Sequence, residues 1–383
     1  MQKIMISVGE ASGDLHGASV VRALKKLQPD IRLLGMGGQA MRAEGVDILY
    51  DIADISVMGL VEVVKNLPRL FRLKNMLAGV LAAEQPDVLV VIDYPDFNMR
   101  LAKEAKKLGI PVVYYISPQV WIWRKGRAKD IGEITEQVAA IFPFEAEVYR
   151  QAGARVTFVG HPLLDIVKPS LSKEEAYRHF GADPQRPLVL FMPGSRKQEV
   201  EQLTDIMLSA GEKISEELPG CQFFLPVATT ISREMLQDKI NHAGIQVTLT
   251  DKNTYDLMNI ADIAIAASGT AILETALMQL PTVVVYKMSP LTYFLGKFLI
   301  RIPHVSLPNI IAGREIVPEL LQGDANEAKT AERALAILQD DGVRGRMLQD
   351  LTDMRRKLGD SGAVQRTAEL ILQVAHTHAG GHS

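Results

Sequence analysis

The chain has 383 residues, with 42 Lys or Arg against 45 Asp or Glu and a net charge of −3; at roughly 150 residues per domain this predicts two or three domains and excludes a small stapled scaffold. The balance argues against a nucleic-acid partner, which usually requires an overall positive field, and the lone cysteine, Cys221, excludes an intrachain disulfide or a cysteine metal cage and fits a reducing compartment. A hydrophobic content of 47% with a mean hydropathy of +0.08 leaves room for contact with a membrane surface.

In chain order, short apolar runs bounded by Gly, Pro or Asp alternate with amphipathic stretches, the pattern of βαβ units and a parallel sheet. The first run, Lys3–Val8, is too short for the core of a signal peptide and reads as a strand. Further strands are expected at Ile31–Gly35, Val88–Ile92, Val112–Ile116, Val138–Ile141 and Val156–Val159, with helices over Leu15–Leu27 and Asn98–Leu108. A Pro-rich stretch from His161 to Pro187, carrying one charged helix (Ser172–Phe180), reads as a domain boundary. Strands resume at Leu188–Met192, Phe223–Pro226, Val247–Leu249, Ile263–Ala266 and Val283–Tyr286, and only helical signal follows Ala325. The most apolar stretch, Ile260–Tyr286, is broken by Asp262, Glu274, Gln279 and Pro281, so no transmembrane helix is expected. The last histidines, from His376, read as a disordered end.

The predicted class is α/β: two Rossmann-like domains with parallel sheets facing a central cleft, and a helical C-terminus. The divisions are 1–165, 186–355, and 356–383 as a C-terminal helix and flexible tail. Ligands of such sheets bind at the carboxyl ends of the strands, so chemistry belongs in the strand-to-helix loops.

Two loops in the second half suit an anion. Pro193-Gly194-Ser195-Arg196 follows a strand and opens a helix, where free backbone N–H groups and the helix dipole attract phosphate and Arg196 adds a fork of donors; the alternative is a plain tight turn. Ser268-Gly269-Thr270 repeats the arrangement, and Glu274, one turn on, is either a ribose ligand or a surface glutamate. In the first half, Gly9-Glu10-Ala11-Ser12-Gly13-Asp14 leads to His16; Asp14 is a cap or a ligand, and His16 a ligand or a packing residue. Asp93-Tyr94-Pro95-Asp96-Phe97-Asn98 sets two carboxylates at a strand's end, one a general-base candidate, with Asp96 alternatively a helix cap.

Ser117 to Lys129 joins both tryptophans, Trp121 and Trp123, to Arg124, Lys125, Arg127 and Lys129, which is either a solvated face or a contact for an anionic, partly apolar ligand. Val57–Lys74 has few polar residues until a basic stripe and reads as a core helix or an interfacial one. No D-x-D triplet occurs, so a diphosphate-bound metal held by that motif is not supported.

These segments, together with Val57-Met58-Gly59, Ser117-Pro118-Gln119-Val120-Trp121 and Ser306-Leu307-Pro308-Asn309-Ile310-Ile311-Ala312-Gly313-Arg314, resemble in order the lipid A disaccharide synthase family of GT-B glycosyltransferases. The resemblance implies metal-independent, inverting transfer of 2,3-diacylglucosamine from UDP to the 6-hydroxyl of 2,3-diacylglucosamine 1-phosphate. The protein would lack a cofactor and sit peripherally on the cytoplasmic face of a Gram-negative inner membrane, and the resemblance is compatible with a homodimer and with a C-terminal helix that crosses back onto the first domain or a partner subunit. It assigns Asp96 as the base with Asp93 in support, and Arg196 with Gly194, Ser195, Ser268, Gly269 and Thr270 to the departing diphosphate. Glu274 would hold the ribose and Asn309 the nucleotide, the acceptor phosphate would meet His16 or the Arg124–Lys129 cations, and Glu10, Ser12, Asp14 and Asn98 are further substrate-binding candidates. Val57, Met58, Leu60, Leu67, Leu70 and Phe71 would meet acyl chains or lipid. The rival readings are another UDP-sugar enzyme, either a 2-epimerase or a lipid-linked N-acetylglucosaminyltransferase, and a noncatalytic lipid or nucleotide sensor that would not need Asp96.

Overall fold

The computed structural model describes residues 2–56, 67–118, 120, 126–228, 230–287 and 304–379. In chain order the elements are β1 (Lys3–Ser7), α1 (Ala11–Leu27), β2 (Arg32–Gly37), α2 (Gln39–Ala43), β3 (Asp47–Asp51), α3 (Ala53–Ser56), α4 (Leu67–Glu84), β4 (Val88–Ile92) and α5 (Pro95–Lys107). There follow β5 (Val112–Tyr115), α6 (Gly126–Ile134), β6 (Gln137–Ala140), α7 (Pro143–Gln151), β7 (Val156–Phe158), α8 (Leu163–Ile166), α9 (Lys173–Phe180), β8 (Leu188–Met192), α10 (Lys197–Glu217), β9 (Gln222–Pro226) and α11 (Arg233–Asn241). The last are β10 (Val247–Thr250), α12 (Thr254–Ile260), β11 (Ile263–Ala267), α13 (Thr270–Leu277), β12 (Thr282–Tyr286), α14 (Leu307–Ala312), β13 (Glu319–Leu321), a 3₁₀ turn (Gln322–Asp324), α15 (Glu327–Gln339), α16 (Asp341–Lys357) and α17 (Ala363–Ala379).

The chain forms two compact units, Met1–Asp165 with Leu358–Ser383, and Ile166–Lys357. The first is built on a parallel sheet in the order β3-β2-β1-β4-β5-β6-β7. Val88 to Ile92 are all 0% exposed, as expected of an uninterrupted aliphatic run covered on both faces; burying each such side chain contributes roughly 1.5–3 kcal/mol. The C-terminal helix α17 completes this unit. Asp165 accepts from the Gly362 and Val364 N–H groups at 2.5 and 3.3 Å, and Arg366 donates to the Val159 carbonyl at 2.7 Å.

The second unit has a parallel sheet in the order β10-β9-β8-β11-β12-β13. Strand order reverses between β1 and β4 in one sheet and between β8 and β11 in the other, and each reversal leaves a crevice beyond the strands' carboxyl ends.

Several local expectations change. Strands β3 and β13 have no counterpart among the expected strands: each lies at a sheet edge and is incompletely covered, so neither carries the apolar run of a central strand. Helix α1 begins at Ala11 rather than Leu15, which puts Ser12, Gly13 and Asp14 in its first turn, and α5 begins at Pro95 rather than Asn98. His376 and His378 lie in the last turn of α17, not in a disordered end. Among the described residues, no helix is long and apolar enough to cross a membrane.

Candidate active site

In the first unit the loops after the adjacent strands β1 and β4 meet at the crevice. Asp93 and Tyr94, which join β4 to α5, both adopt left-handed backbone conformations, with φ of 51° and 47°. Side chains with a Cβ rarely sit there, and such strain costs of order 1–3 kcal/mol per residue. Asp93 is half-buried, and burial raises its carboxyl above the ordinary aspartate range against an opposing Tyr94 N–H bond. Asp96 is a different group: its side chain is 82% exposed, in the first turn of α5, ion-paired with Arg127 from α6. Burial disfavours the charged form and so moves a carboxylate toward the basicity a general base needs. Of the two, Asp93 therefore has the environment suited to accepting a proton, whereas the family resemblance assigns that role to Asp96.

Three expected ligands are committed to the protein itself. Asp14 is 6% exposed and accepts from the N–H groups of Gly38, Ala40 and Met41 at 2.7, 2.9 and 3.2 Å, satisfying the start of α2 rather than a substrate. Asn98, fully buried, donates to the carbonyls of Ser7, Ile92 and Asp93 and accepts from the Ser7 hydroxyl. Asn309, also fully buried, donates to the Val317 carbonyl and Glu319 Oε1 and accepts from the Ile316 and Val317 N–H groups, all within 3.0 Å. Sequence spacing marks these residues without revealing the backbone and side-chain groups from other segments that engage them.

Glu10 and Ser12 are exposed at the start of α1. His16 is half-buried and burial lowers its pKa, while the buried His161 falls to about 3 through burial and the nearby His16. Burial thus favours the neutral form of both rings in the unliganded protein. Leu73 and Leu77 turn into the core while Phe71 stays 48% exposed, with the Arg100 guanidinium 5.0 Å over its ring. Leu70 is half-buried and Leu67 opens α4. Val57, Met58 and Leu60, like Trp121 to Lys125, lie outside the described residues.

In the second unit the two small-residue loops come together. A cavity of about 390 Å³ is lined by Gly194, Ser195 and Arg196 after β8, by Ser268, Gly269 and Thr270 after β11, and by Glu274. Gly194 has φ +109°, the conformation that turns the chain from β8 toward α10 and that a Cβ would strain. The starts of α10 and α13 thus converge, two sets of unpaired N–H groups at the positive ends of helix dipoles. Arg196 is 79% exposed and paired with Glu199 at 3.0 Å. Burial raises the Glu274 carboxyl, opposed by the facing Tyr255 hydroxyl, itself pushed up to about 12.

Sequence reasoning missed Glu199, Thr254 and Pro226-Val227-Ala228, which also line this cavity. Glu199 carried a signal, its i,i+3 spacing from Arg196; the others come from strands and helices distant in sequence.

A family model described as lipid-A-disaccharide synthetase matches residues 4–374. The chain is 46% identical to the lipid-A-disaccharide synthase of Syntrophus aciditrophicus over 96% of its length and 97% of the relative's. It is 43% identical to that of Geobacter sulfurreducens, covering 97% of each. Among solved structures it resembles a UDP-GlcNAc 2-epimerase from Neisseria meningitidis bound to UDP-GlcNAc, with a TM-score of 0.66 at 14% identity, covering 97% of this chain and 100% of that one. The glycotransferase of kitacinnamycin gives a TM-score of 0.63 at 15% identity, covering 98% and 99%.

Proposed function

Since the chain belongs to the lipid-A-disaccharide synthase family, and is thereby a glycosyltransferase of lipid A biosynthesis with a GT-B type fold, we propose how its residues perform the transfer. The donor is UDP-2,3-diacylglucosamine, and its diphosphate binds in the second unit's cavity. Two helix starts and Arg196 there carry the charge that grows on the leaving group, a role that mobile water would fill at greater reorganisation cost. Arg196 exchanges Glu199 for the diphosphate, and Glu274 accepts from the ribose hydroxyls.

The acceptor is 2,3-diacylglucosamine 1-phosphate, bound at the crevice of the first unit. Asp93 takes the proton of its 6-hydroxyl as that oxygen bonds to the anomeric carbon. The bond from that carbon to the diphosphate oxygen breaks, its electron pair leaving with UDP, and the configuration inverts. Asp96, ion-paired with Arg127, supplies negative charge at the rim. The observation that carries the assignment is the half-buried, raised carboxyl of Asp93 in a strained loop at the sheet's reversal point. Peripheral contact with the inner face of the inner membrane accompanies this reading, with exposed Phe71 beside the basic residues Arg69, Arg72 and Arg100 as one support.

The test is UDP release and disaccharide formation from the two diacylated sugars in detergent with EDTA present. Wild type should be active, with an acid limb of kcat/KM above the ordinary carboxylate range; Asp93→Asn should lose at least 100-fold in kcat and Asp96→Asn less. An active Asp93→Asn would return the base to Asp96, and a folded but inactive wild type would remove these substrates.

A further inference from the structure

Non-glycine residues with positive φ are few among the described residues, and three of them, Asp93, Tyr94 and Ile116 (φ 51°, 47° and 52°), follow the carboxyl ends of the neighbouring strands β4 and β5. Such backbone persists only where its surroundings over-determine it, and here the surroundings can be named. The Asp93 carbonyl accepts two side-chain donors, Asn98 Nδ2 at 2.8 Å and the Tyr114 hydroxyl at 3.2 Å. The Asp93 N–H donates to the Tyr115 carbonyl at 3.3 Å, and the Asn98 N–H to the Tyr94 carbonyl at 3.0 Å.

Asn98 is itself fixed, fully buried with its oxygen bonded by Ser7 and its amide shared among the ends of β1 and β4. Tyr114 is fully buried too, its ring in the core and its hydroxyl donating to this carbonyl. A buried hydroxyl has few partners to choose from, and leaving it without one is strongly unfavourable. Its use on a strained peptide beside a raised carboxyl, rather than on a regular strand, is what distinguishes it from a packing residue.

We propose that Asn98 and Tyr114 are positioning residues that clamp the Asp93 carbonyl, hold the Asp93–Tyr94 pair in its left-handed conformation, and thereby set where the Asp93 carboxyl sits. This rests on the reading of Asp93 as the base. Neither side chain touches the substrate; both act through the backbone of Asp93. With the clamp loosened, the pair relaxes toward ordinary backbone, and the carboxyl moves by more than the roughly 0.5 Å that productive geometry tolerates.

The test compares Tyr114→Phe, Asn98→Ala and Asp93→Asn with wild type, reading kcat, KM for each sugar, UDP affinity and the urea unfolding midpoint. Tyr114→Phe removes one hydroxyl and keeps the ring. It should lower kcat about tenfold, with both KM values and UDP affinity within twofold of wild type and the midpoint little changed. Asn98→Ala should lower kcat further; because it also opens a buried network and risks misfolding, Tyr114→Phe is the deciding variant. Wild-type kcat in Tyr114→Phe, or a lowered midpoint with kcat intact, alongside an inactive Asp93→Asn, would overturn the clamp alone. An active Asp93→Asn would overturn the base assignment and the clamp with it.

Discussion

The ring of Tyr94 lies directly on the Cα of Gly9, so close that a Cβ built at residue 9 would fall 2.1 Å from Tyr94 Cγ. The contact ties the loop after β1 to the loop after β4 across the sheet's reversal point. It also explains a glycine whose own backbone is ordinary: the requirement is for space, not for a special φ.

Gly9→Ala should therefore push the Tyr94 ring aside and disturb Asp93 next to it. Overpacking of this kind costs about 1–3 kcal/mol, and kcat is expected to fall at least tenfold while UDP affinity, which the proposed function assigns to the second unit, holds. A double-mutant cycle with Tyr94→Ala checks the cause, since removing the ring relieves the clash and the two effects should not add.

The family resemblance makes Asn309 and Arg196 parallel nucleotide ligands, and the structure separates them. Asn309→Ala strands buried donors and acceptors on four partners and should destabilise the protein by about 2–4 kcal/mol. Arg196→Ala removes an exposed side chain with one surface ion pair and should leave the urea midpoint in place while lowering kcat 100-fold or more. Denaturation and turnover measured on both variants give opposite patterns if each residue works as described.

Glu145 is 1% exposed, capped by the Ser117 hydroxyl at 2.8 Å and by the Ile141 and Phe142 N–H groups; burial nevertheless raises its pKa to about 7. Between about pH 4.5 and 7 the folded state binds a proton here that the unfolded state has released, so stability falls as pH rises through that window and levels off above it. Glu145→Gln cannot titrate. The difference in unfolding free energy between wild type and variant should move in the variant's favour by up to about 3 kcal/mol across the window. A pH-independent difference would contradict the shift.

Phe71→Ser removes a half-exposed aromatic that packs under the Arg100 guanidinium. Sedimentation with anionic vesicles should drop severalfold while turnover on substrates in detergent stays within twofold. Unchanged sedimentation would exclude this face of α4 from membrane contact.

Much of this protein was legible in its sequence. The runs Val88–Ile92 and Leu188–Met192 marked central strands because parallel strands buried on both faces need uninterrupted apolar side chains. The small-residue turns at Gly194-Ser195 and Ser268-Gly269 marked helix starts because only such residues allow the turn and expose its N–H groups. The same local chemistry told less at the edges, where β3 and β13 carry mixed residues, and at α1, whose first turn holds glycine and aspartate that read equally as loop.

What local sequence could not reveal was the partner of each polar side chain. Asp14, Asn98 and Asn309 sit in motifs that look like ligands, yet each is engaged by backbone groups, and the two asparagines also by the Ser7 hydroxyl and the Glu319 carboxylate, that chain folding brings from elsewhere. The two carboxylates of Asp93-Tyr94-Pro95-Asp96 are chemically alike in sequence. Only the tertiary structure makes them different, by half-burying one in a strained turn whose carbonyl accepts two side-chain donors and leaving the other in solvent beside Arg127. Periodicity and turn chemistry act between neighbours, so the sequence by itself determined the central elements and the candidate loops. Desolvation and hydrogen-bond saturation depend on what packs against a group, and only the tertiary structure decided which polar side chains in each loop are engaged by the protein and which stay open.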